Sequence, residues 1–316
     1  MKEIRFTDIE NFRIGNAENV PGGTGCTVII CEKGAVGGVS VQGGGPAGRE
    51  TELLKPEKMC NEIYGIVLSG GSAYGLDACS GVMKYLEEKG IGFNVGIGVV
   101  PIVPGACVYD LCIADFNCRP DREMGYEAAL NSEKPELFKA GNHGGGTGAT
   151  VGKYLGLEHL MKGGLGTYAV QIGDLKVGAA VICNALGDIF DVDTGKKLAG
   201  LRTGLTSQVM WDSIDKQKNV FTGNTTICCV VTNAALSKPQ CSKLAEMCHD
   251  GFARAIRPVH TSCDGDTLFF LSKGNVEVNQ DALGDLASYV VAKAINDAVL
   301  KAESAYGIPA AGDMGR

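Results

Sequence analysis

The residues best placed to do chemistry are Gly223-Asn224-Thr225-Thr226, which run straight into the apolar, β-branched segment Ile227-Cys228-Cys229-Val230-Val231. Glycine frees the backbone, and a β-branched run favours a strand. A threonine hydroxyl would therefore stand at the lip of a rigid element, within reach of the carbonyl just before it. Attack there would cut the chain between Asn224 and Thr225 and leave Thr225 with a free α-amine beside its own hydroxyl. A hydroxyl needs a base before it is a useful nucleophile, and the new amine can be that base. Its pKa near about 8 suits work at neutral pH. The same four residues also read as an ordinary turn before a strand, so the rest of the chain has to decide.

Asp264-Gly265-Asp266-Thr267 is the second strong feature. It precedes a short apolar strand, so two carboxylates sit at a strand's mouth. There they could orient a hydroxyl and an ammonium and hold the amine near its working pKa. The plain alternative is a turn with two solvated aspartates. An EF-hand is not indicated, because the repeated acidic spacing is missing. Gly148-Ala149-Thr150-Val151-Gly152-Lys153 imitates a phosphate loop but is one residue short, and Tyr154 replaces the hydroxyl that would hold magnesium. Lys153 could still supply a donor to a developing oxyanion; otherwise it is a solvated lysine. Gly70-Gly71-Ser72-Ala73-Tyr74-Gly75 imitates a nucleophile elbow, but Tyr74 occupies the position that needs glycine. Ser72 reads better as a helix N-cap. None of the four histidines, His143, His159, His249 and His260, sits in a pattern that marks a catalytic pair.

The elements that must position these groups follow from periodicity and turn chemistry. Residues 28–30 and 36–41 are short apolar runs around Glu32-Lys33-Gly34, which reads as a hairpin. The Gly43-Gly44-Gly45-Pro46 turn follows. A strand over 66–68 leads to a helix over 73–89, closed by Gly90. A polar loop and short helix occupy 119–140. Strands are expected over 167–171, 177–184, 226–232 and 267–271, and helices over 239–256 and 286–305. The polar segment 201–220, with the single Trp211, reads as an exposed loop, the slack that separating chain ends would need.

Composition narrows the function classes. A 316-residue chain can be one large α/β domain or two smaller ones. The 46 glycines cluster in tight segments, which marks turns and close backbone approaches. A net charge of −7 with no basic block argues against nucleic acid. The 13 cysteines contain no C-x-x-C, and no histidine completes a zinc site around Cys107, Cys112 and Cys118. They read as reduced, mostly buried thiols of a cytoplasmic protein. Met1-Lys2-Glu3-Ile4-Arg5 carries no apolar leader. The longest apolar run, 90–103, is broken by Asn94 and glycines and is unsuited to span a bilayer.

Together these segments resemble the DmpA-type aminopeptidase family, which includes L-aminopeptidase/D-esterases, β-peptidyl aminopeptidases and nylon-oligomer hydrolases. The likeness runs from Gly22-Gly23-Thr24-Gly25-Cys26-Thr27-Val28 through Arg49-Glu50-Thr51, residues 68–76, 146–153 and 162–167, Asn184-Ala185-Leu186-Gly187-Asp188 and Asn224-Thr225-Thr226 to Asp264-Gly265-Asp266-Thr267. No single motif is specific; their order and spacing are. The resemblance implies a single-domain four-layer αββα sandwich of the Ntn-hydrolase type. It implies a precursor that cuts itself into an α fragment (1–224) and a β fragment (225–316), commonly assembled as a tetramer. Thr225 would be the nucleophile, assisted by Asp264, Asp266, Lys153 and Asn184. Tyr109, with Gly71 and Ser72, would line the pocket. No cofactor, no metal, no nucleic acid and no membrane is implied, and the substrate would be a small amide or short peptide. Gly105-Ala106-Cys107 stands where the β-peptidyl branch carries an acidic residue that grips the substrate amine, so this chain looks closer to the nylon-hydrolase-like branch. Two rivals stand beside the hydrolase: an acyltransferase like the ornithine acetyltransferases, which resemble this fold and also self-cleave before threonine, and a non-catalytic small-molecule binder using residues 144–153.

Overall fold

A computed structural model of the chain describes residues 1–215 and 223–313. Its centre is the β-branched run after Asn224, which forms the strand Thr225–Ala234. This strand lies between the antiparallel Leu175–Asn184 and the parallel Thr267–Val276. Gly164–Ile172 and Lys2–Ile4 extend the sheet beyond Leu175–Asn184, and Thr24–Val41 continues it beyond Thr267–Val276.

Side-chain alternation along these strands produces the layers. Ile227, Cys229 and Val231 join Phe269 and Leu271 in an inner cluster. Cys228 and Val230 point the other way, with Leu268 and Phe270, onto the helices Lys238–Ala255 and Gln280–Leu300. Strands buried on both faces read as continuous apolar runs, which is why 227–231 shows no alternation in sequence. The inner cluster's opposite wall comes from Ile29, Cys31, Ile66 and Leu68. Behind that wall, Val28, Ile30 and Val67 pack on the helices Ala78–Glu88 and Arg122–Asn131, through residues such as Val82 and Ala128. Helices, sheet, sheet and helices make the four-layer αββα sandwich. Each large apolar side chain fully buried in it contributes about 1.5–3 kcal/mol.

Three expectations change. Residues 24–41 are one 18-residue strand, not a hairpin. Its first half pairs with Arg13–Asn19 and Glu62–Ser69, and its second half with Thr267–Val276. The register shifts between Ile30 and Ala35, and Gly34 takes φ +70° there. The glycine thus serves a bulge at which the strand bends, as the one ten-stranded sheet folds into two facing layers. Ser72 is not a helix N-cap: a 3-10 turn, Ser72–Asp77, precedes the helix Ala78–Glu88, and the Ser72 side chain makes no capping bond. Gly71 and Ser72 have φ +79° and +53°, a left-handed pair that turns the chain sharply out of the strand Glu62–Ser69. Within 201–220, residues Thr206–Trp211 form a short helix. The buried Asp188 carboxylate fixes its start by accepting from Leu201 N at 2.7 Å and Thr206 N at 2.6 Å. Residues 216–220 of that expected loop lie outside the described residues. All 13 cysteines are free thiols. Among the described residues no helix is long and apolar enough to cross a membrane.

Candidate active site

Thr225 opens its strand directly opposite Asn184, and Asn224 forms a parallel bridge with Asp264. Both sides of the Asn224–Thr225 peptide are buried, with Asn224 2% and Thr225 4% exposed. The Thr225 hydroxyl is hydrogen-bonded to the carbonyl oxygen of Asn224. One backbone donor serves both atoms: Gly265 N–H reaches Asn224 O at 3.2 Å and Thr225 Oγ1 at 3.1 Å. A Cβ on Gly265 would stand 2.7 Å from Thr225 Oγ1 and 2.9 Å from Gly45 O, so only glycine fits. Gly223 has φ +51°, and a Cβ there would meet the Tyr109 ring at 2.2 Å. The glycine before Asn224 is therefore needed for both its backbone and its closeness to Tyr109.

The two carboxylates are buried rather than solvated, at 2% (Asp264) and 1% (Asp266) exposure. Asp266 Oδ1 accepts the Thr226 N–H at 2.7 Å, which pins the backbone just after Thr225. Asp266 Oδ2 accepts from His260 N at 3.1 Å and His260 Nδ1 at 2.8 Å. Asp264 Oδ2 accepts from Thr261 N and Thr261 Oγ1 at 2.9 and 2.6 Å. Burial, and then the charge of Asp266, push the Asp264 carboxyl up to about 6. The Gly43–Gly45 strap is laced onto this turn: Gln42 N donates to Asp266 O at 3.0 Å and Gly45 N to Asp264 O at 2.8 Å. A Cβ on Gly43 would meet Asp266 N at 2.3 Å, which accounts for the glycine cluster.

Sequence reasoning missed His260. It lies six positions before Asp266, a spacing that signals nothing. Its left-handed φ of +55° folds the ring back onto the carboxylate.

Lys153 is buried as well, and burial lowers its ammonium to about 8. Its Nζ donates to Asn184 Oδ1 at 2.6 Å and to Gly223 O at 3.1 Å. It therefore sits one peptide before the Asn224 carbonyl in the intact chain. Asn184 turns its oxygen to Lys153 and to Thr150 N (3.0 Å), and its Nδ2 donates to Tyr109 O at 3.0 Å. Asn184 orients the lysine rather than facing the Asn224–Thr225 bond. Gly71 and Ser72 lie one layer further out. Gly71 N donates to the buried Asp110 Oδ1 at 2.7 Å, and Ser72 N to Val108 O at 2.9 Å, both beside Tyr109. The run 144–153 is committed to the protein itself: Ala149 N donates to Gly146 O, Gly152 N to Gly187 O and Lys153 N to Leu186 O. A Cβ on Gly148 would meet Gly23 O at 2.2 Å. These glycines serve close packing and leave no cradle for a phosphate.

This arrangement pairs a hydroxyl with a neighbouring carbonyl, a backbone donor shared by both, one buried ammonium and two buried carboxylates. It is suited to acyl transfer. The chain matches the description "Peptidase family S58" over residues 5–311. A protein of Mycobacterium leprae named an uncharacterized aminopeptidase is 37% identical, covering 96% of this chain and 92% of its own length. A 6-aminohexanoate-oligomer endohydrolase of Kocuria sp. is 31% identical, with coverages of 93% and 85%. Among solved structures, the L-aminopeptidase D-Ala-esterase/amidase of Ochrobactrum anthropi, described as a variant of the Ntn-hydrolase fold, superposes with a TM-score of 0.72 at 18% identity, covering 97% of this chain and 90% of that one. A Burkholderia sp. β-aminopeptidase gives 0.69 at 20% identity with the same coverages. These two structural likenesses carry the fold.

Proposed function

We propose, from the premise that the chain belongs to peptidase family S58, that it is a precursor which cuts its own Asn224–Thr225 bond and then works through the Thr225 so exposed. The chain is an amide-bond hydrolase of the N-terminal-nucleophile type. The observation that supports the self-cleavage reading is the Thr225 hydroxyl on the Asn224 carbonyl, with the Gly265 N–H reaching both.

In the first step Thr225 Oγ1 attacks the Asn224 carbonyl carbon. The C–N bond to Thr225 breaks, its nitrogen takes a proton, and an ester links Asn224 to the Thr225 side chain. No free amine exists yet, so the hydroxyl proton passes through the titratable group at hand, the Asp264 carboxylate on the residue bridged to Asn224. Water then opens the ester, releasing the Asn224 carboxylate and restoring the hydroxyl.

In the mature enzyme the Thr225 amine takes the hydroxyl proton. Thr225 attacks a substrate amide, the leaving amine departs with a proton, and water hydrolyses the acyl-enzyme. When the new chain end at Asn224 withdraws, Lys153 loses its Gly223 partner and can donate to the substrate oxyanion. A well-placed donor of this kind is worth roughly 3 kcal/mol. Asn184 orients Lys153, Asp266 holds the strand's first peptide, and Asp264 faces the new ammonium. The substrates are short peptides or oligoamides of amino acids, received beside Tyr109 and the Gly71–Ser72 turn. The enzyme works as a tetramer of processed protomers in the cytoplasm; 13 free thiols fit a reducing compartment.

Intact mass and N-terminal sequencing test this. Two pieces are expected, the shorter beginning Thr225-Thr226-Ile227, and Thr225→Ala should stay whole and inactive. A fully active enzyme that is one unbroken chain would overturn the reading.

A further inference from the structure

We propose that His260 is a positioning residue for Thr225, acting through the carboxylate of Asp266; this rests on the Thr225 reading above. Asp266 grips the nucleophile's strand by one oxygen, through the Thr226 N–H at 2.7 Å. Its other oxygen is held, among the described residues, by His260 alone, twice, through the backbone N–H at 3.1 Å and ring Nδ1 at 2.8 Å. A ring nitrogen that close to a carboxylate oxygen carries the proton, so the tautomer is fixed with Nδ1–H toward Asp266. The other ring nitrogen, Nε2, is buried with no hydrogen-bond partner among the described residues.

The ring has little freedom. It stacks on Phe252, with centroids 5.8 Å apart, and takes the edge of His249 at 4.7 Å, both on the helix Lys238–Ala255. His249 is kept uncharged, since burial lowers it to about 4. The backbone at His260 is itself in the left-handed region, φ +55°, which is unfavourable for a non-glycine residue. Strain of this kind persists where the surroundings over-determine it, and it clusters at functional sites. Here it has one visible product: both donors of His260 converge on a single oxygen of Asp266. A carboxylate so held can rotate neither away from Thr226 nor onto the amine that cleavage creates. His260 thus fixes where the Thr225 hydroxyl and amine sit relative to the Gly265 N–H, without touching the reacting atoms.

Two substitutions separate this from a merely structural role. Both His260→Asn and His260→Gly accept a positive φ, but only asparagine places an N–H near the position of Nδ1. Together with wild type and Thr225→Ala, they are followed for self-cleavage rate, kcat, KM and melting temperature. His260→Gly should slow self-cleavage and lower kcat at least about tenfold, as misplacement of a reacting group does. KM should stay within about twofold, because a positioning loss falls on the chemical step. His260→Asn should recover to within about threefold of wild type by the same geometric argument, with the two variants melting within ~2 °C of each other. Equal rates for the two variants, or a wild-type rate for His260→Gly, would overturn the proposal. Activity in Thr225→Ala would overturn the Thr225 reading instead, and this inference with it. A measurement independent of folding in the variants is the nitrogen NMR spectrum of histidine-labelled Thr225→Ala precursor. The His260 ring should carry its proton on Nδ1, and a proton found on Nε2 alone would also overturn it.

Discussion

Gly265 donates its backbone N–H to the hydroxyl of Thr225 at 3.1 Å, and the same N–H lies 3.2 Å from the carbonyl oxygen of Asn224. The hydroxyl and the carbonyl therefore share a donor that belongs to the turn between the two buried aspartates. Attack would build negative charge on the Asn224 oxygen, and the donor is already aimed there.

Gly265→Ala follows directly. Its Cβ would stand 2.7 Å from Thr225 Oγ1 and 2.9 Å from Gly45 O, so the turn must move away from the peptide. Self-cleavage should fall by about a hundredfold or more, the usual cost of losing one such donor. Gel electrophoresis over time checks this, with a persistent full-length band expected.

The pH dependence of self-cleavage has a defined sign. Asp264, raised to about 6 by burial and by Asp266, becomes a carboxylate only as pH climbs through that value. The rate of precursor conversion should therefore rise through about 6. Asp264→Asn should remove the acidic limb along with most of the rate, and a profile flat between pH 5 and 7 would count against Asp264.

Lys153→Met keeps the volume and removes the donor. Turnover by the processed enzyme should slow by about 10²–10³-fold, the range for loss of one oxyanion donor, whereas processing, during which Lys153 faces Gly223 O and not the Asn224 carbonyl, should slow far less. The protein should stay folded, because the ammonium is a buried charge held only by neutral oxygens, those of Asn184 and Gly223. Parallel kinetics and melting curves test both halves.

Lys162 gives a stability prediction. Its ammonium is fully buried, donates to Thr147 O at 2.9 Å and Ala149 O at 2.7 Å, and is lowered to about 7. The unfolded chain holds that proton to about 10.4. Between these values the unfolded state binds more protons, so stability rises with pH. The penalty is complete below about 7 and relieved as pH approaches about 10.4. Relative to Lys162→Met, wild type should gain melting temperature across that window. Parallel pH slopes for the two proteins would contradict the assignment.

Much of this protein is legible in its residues. The strand after Asn224 follows from β-branching at Ile227, Val230 and Val231, and the order of its glycine-rich motifs points to the family. Gly223, Asn224 and Thr225 are adjacent in the chain, so their juxtaposition needs no fold. Other features depend on long-range packing and have no local signature. Gly34 looks like a hairpin turn, yet it serves a bulge, because the strand 24–41 runs through one continuous ten-stranded sheet with different partners along its two halves. Ser72 looks like a cap, but a left-handed turn places it elsewhere. Lys153 and the two aspartates read equally well as solvated side chains; the structure buries all three between sheet, strap and loop. His260 reaches Asp266 through a backbone conformation that spacing cannot reveal. The sequence by itself determined which bond and which hydroxyl stand together, since covalent neighbours are fixed by order. Tertiary structure alone decided which distant donors and charges converge on them, because that depends on how layers far apart in the chain pack.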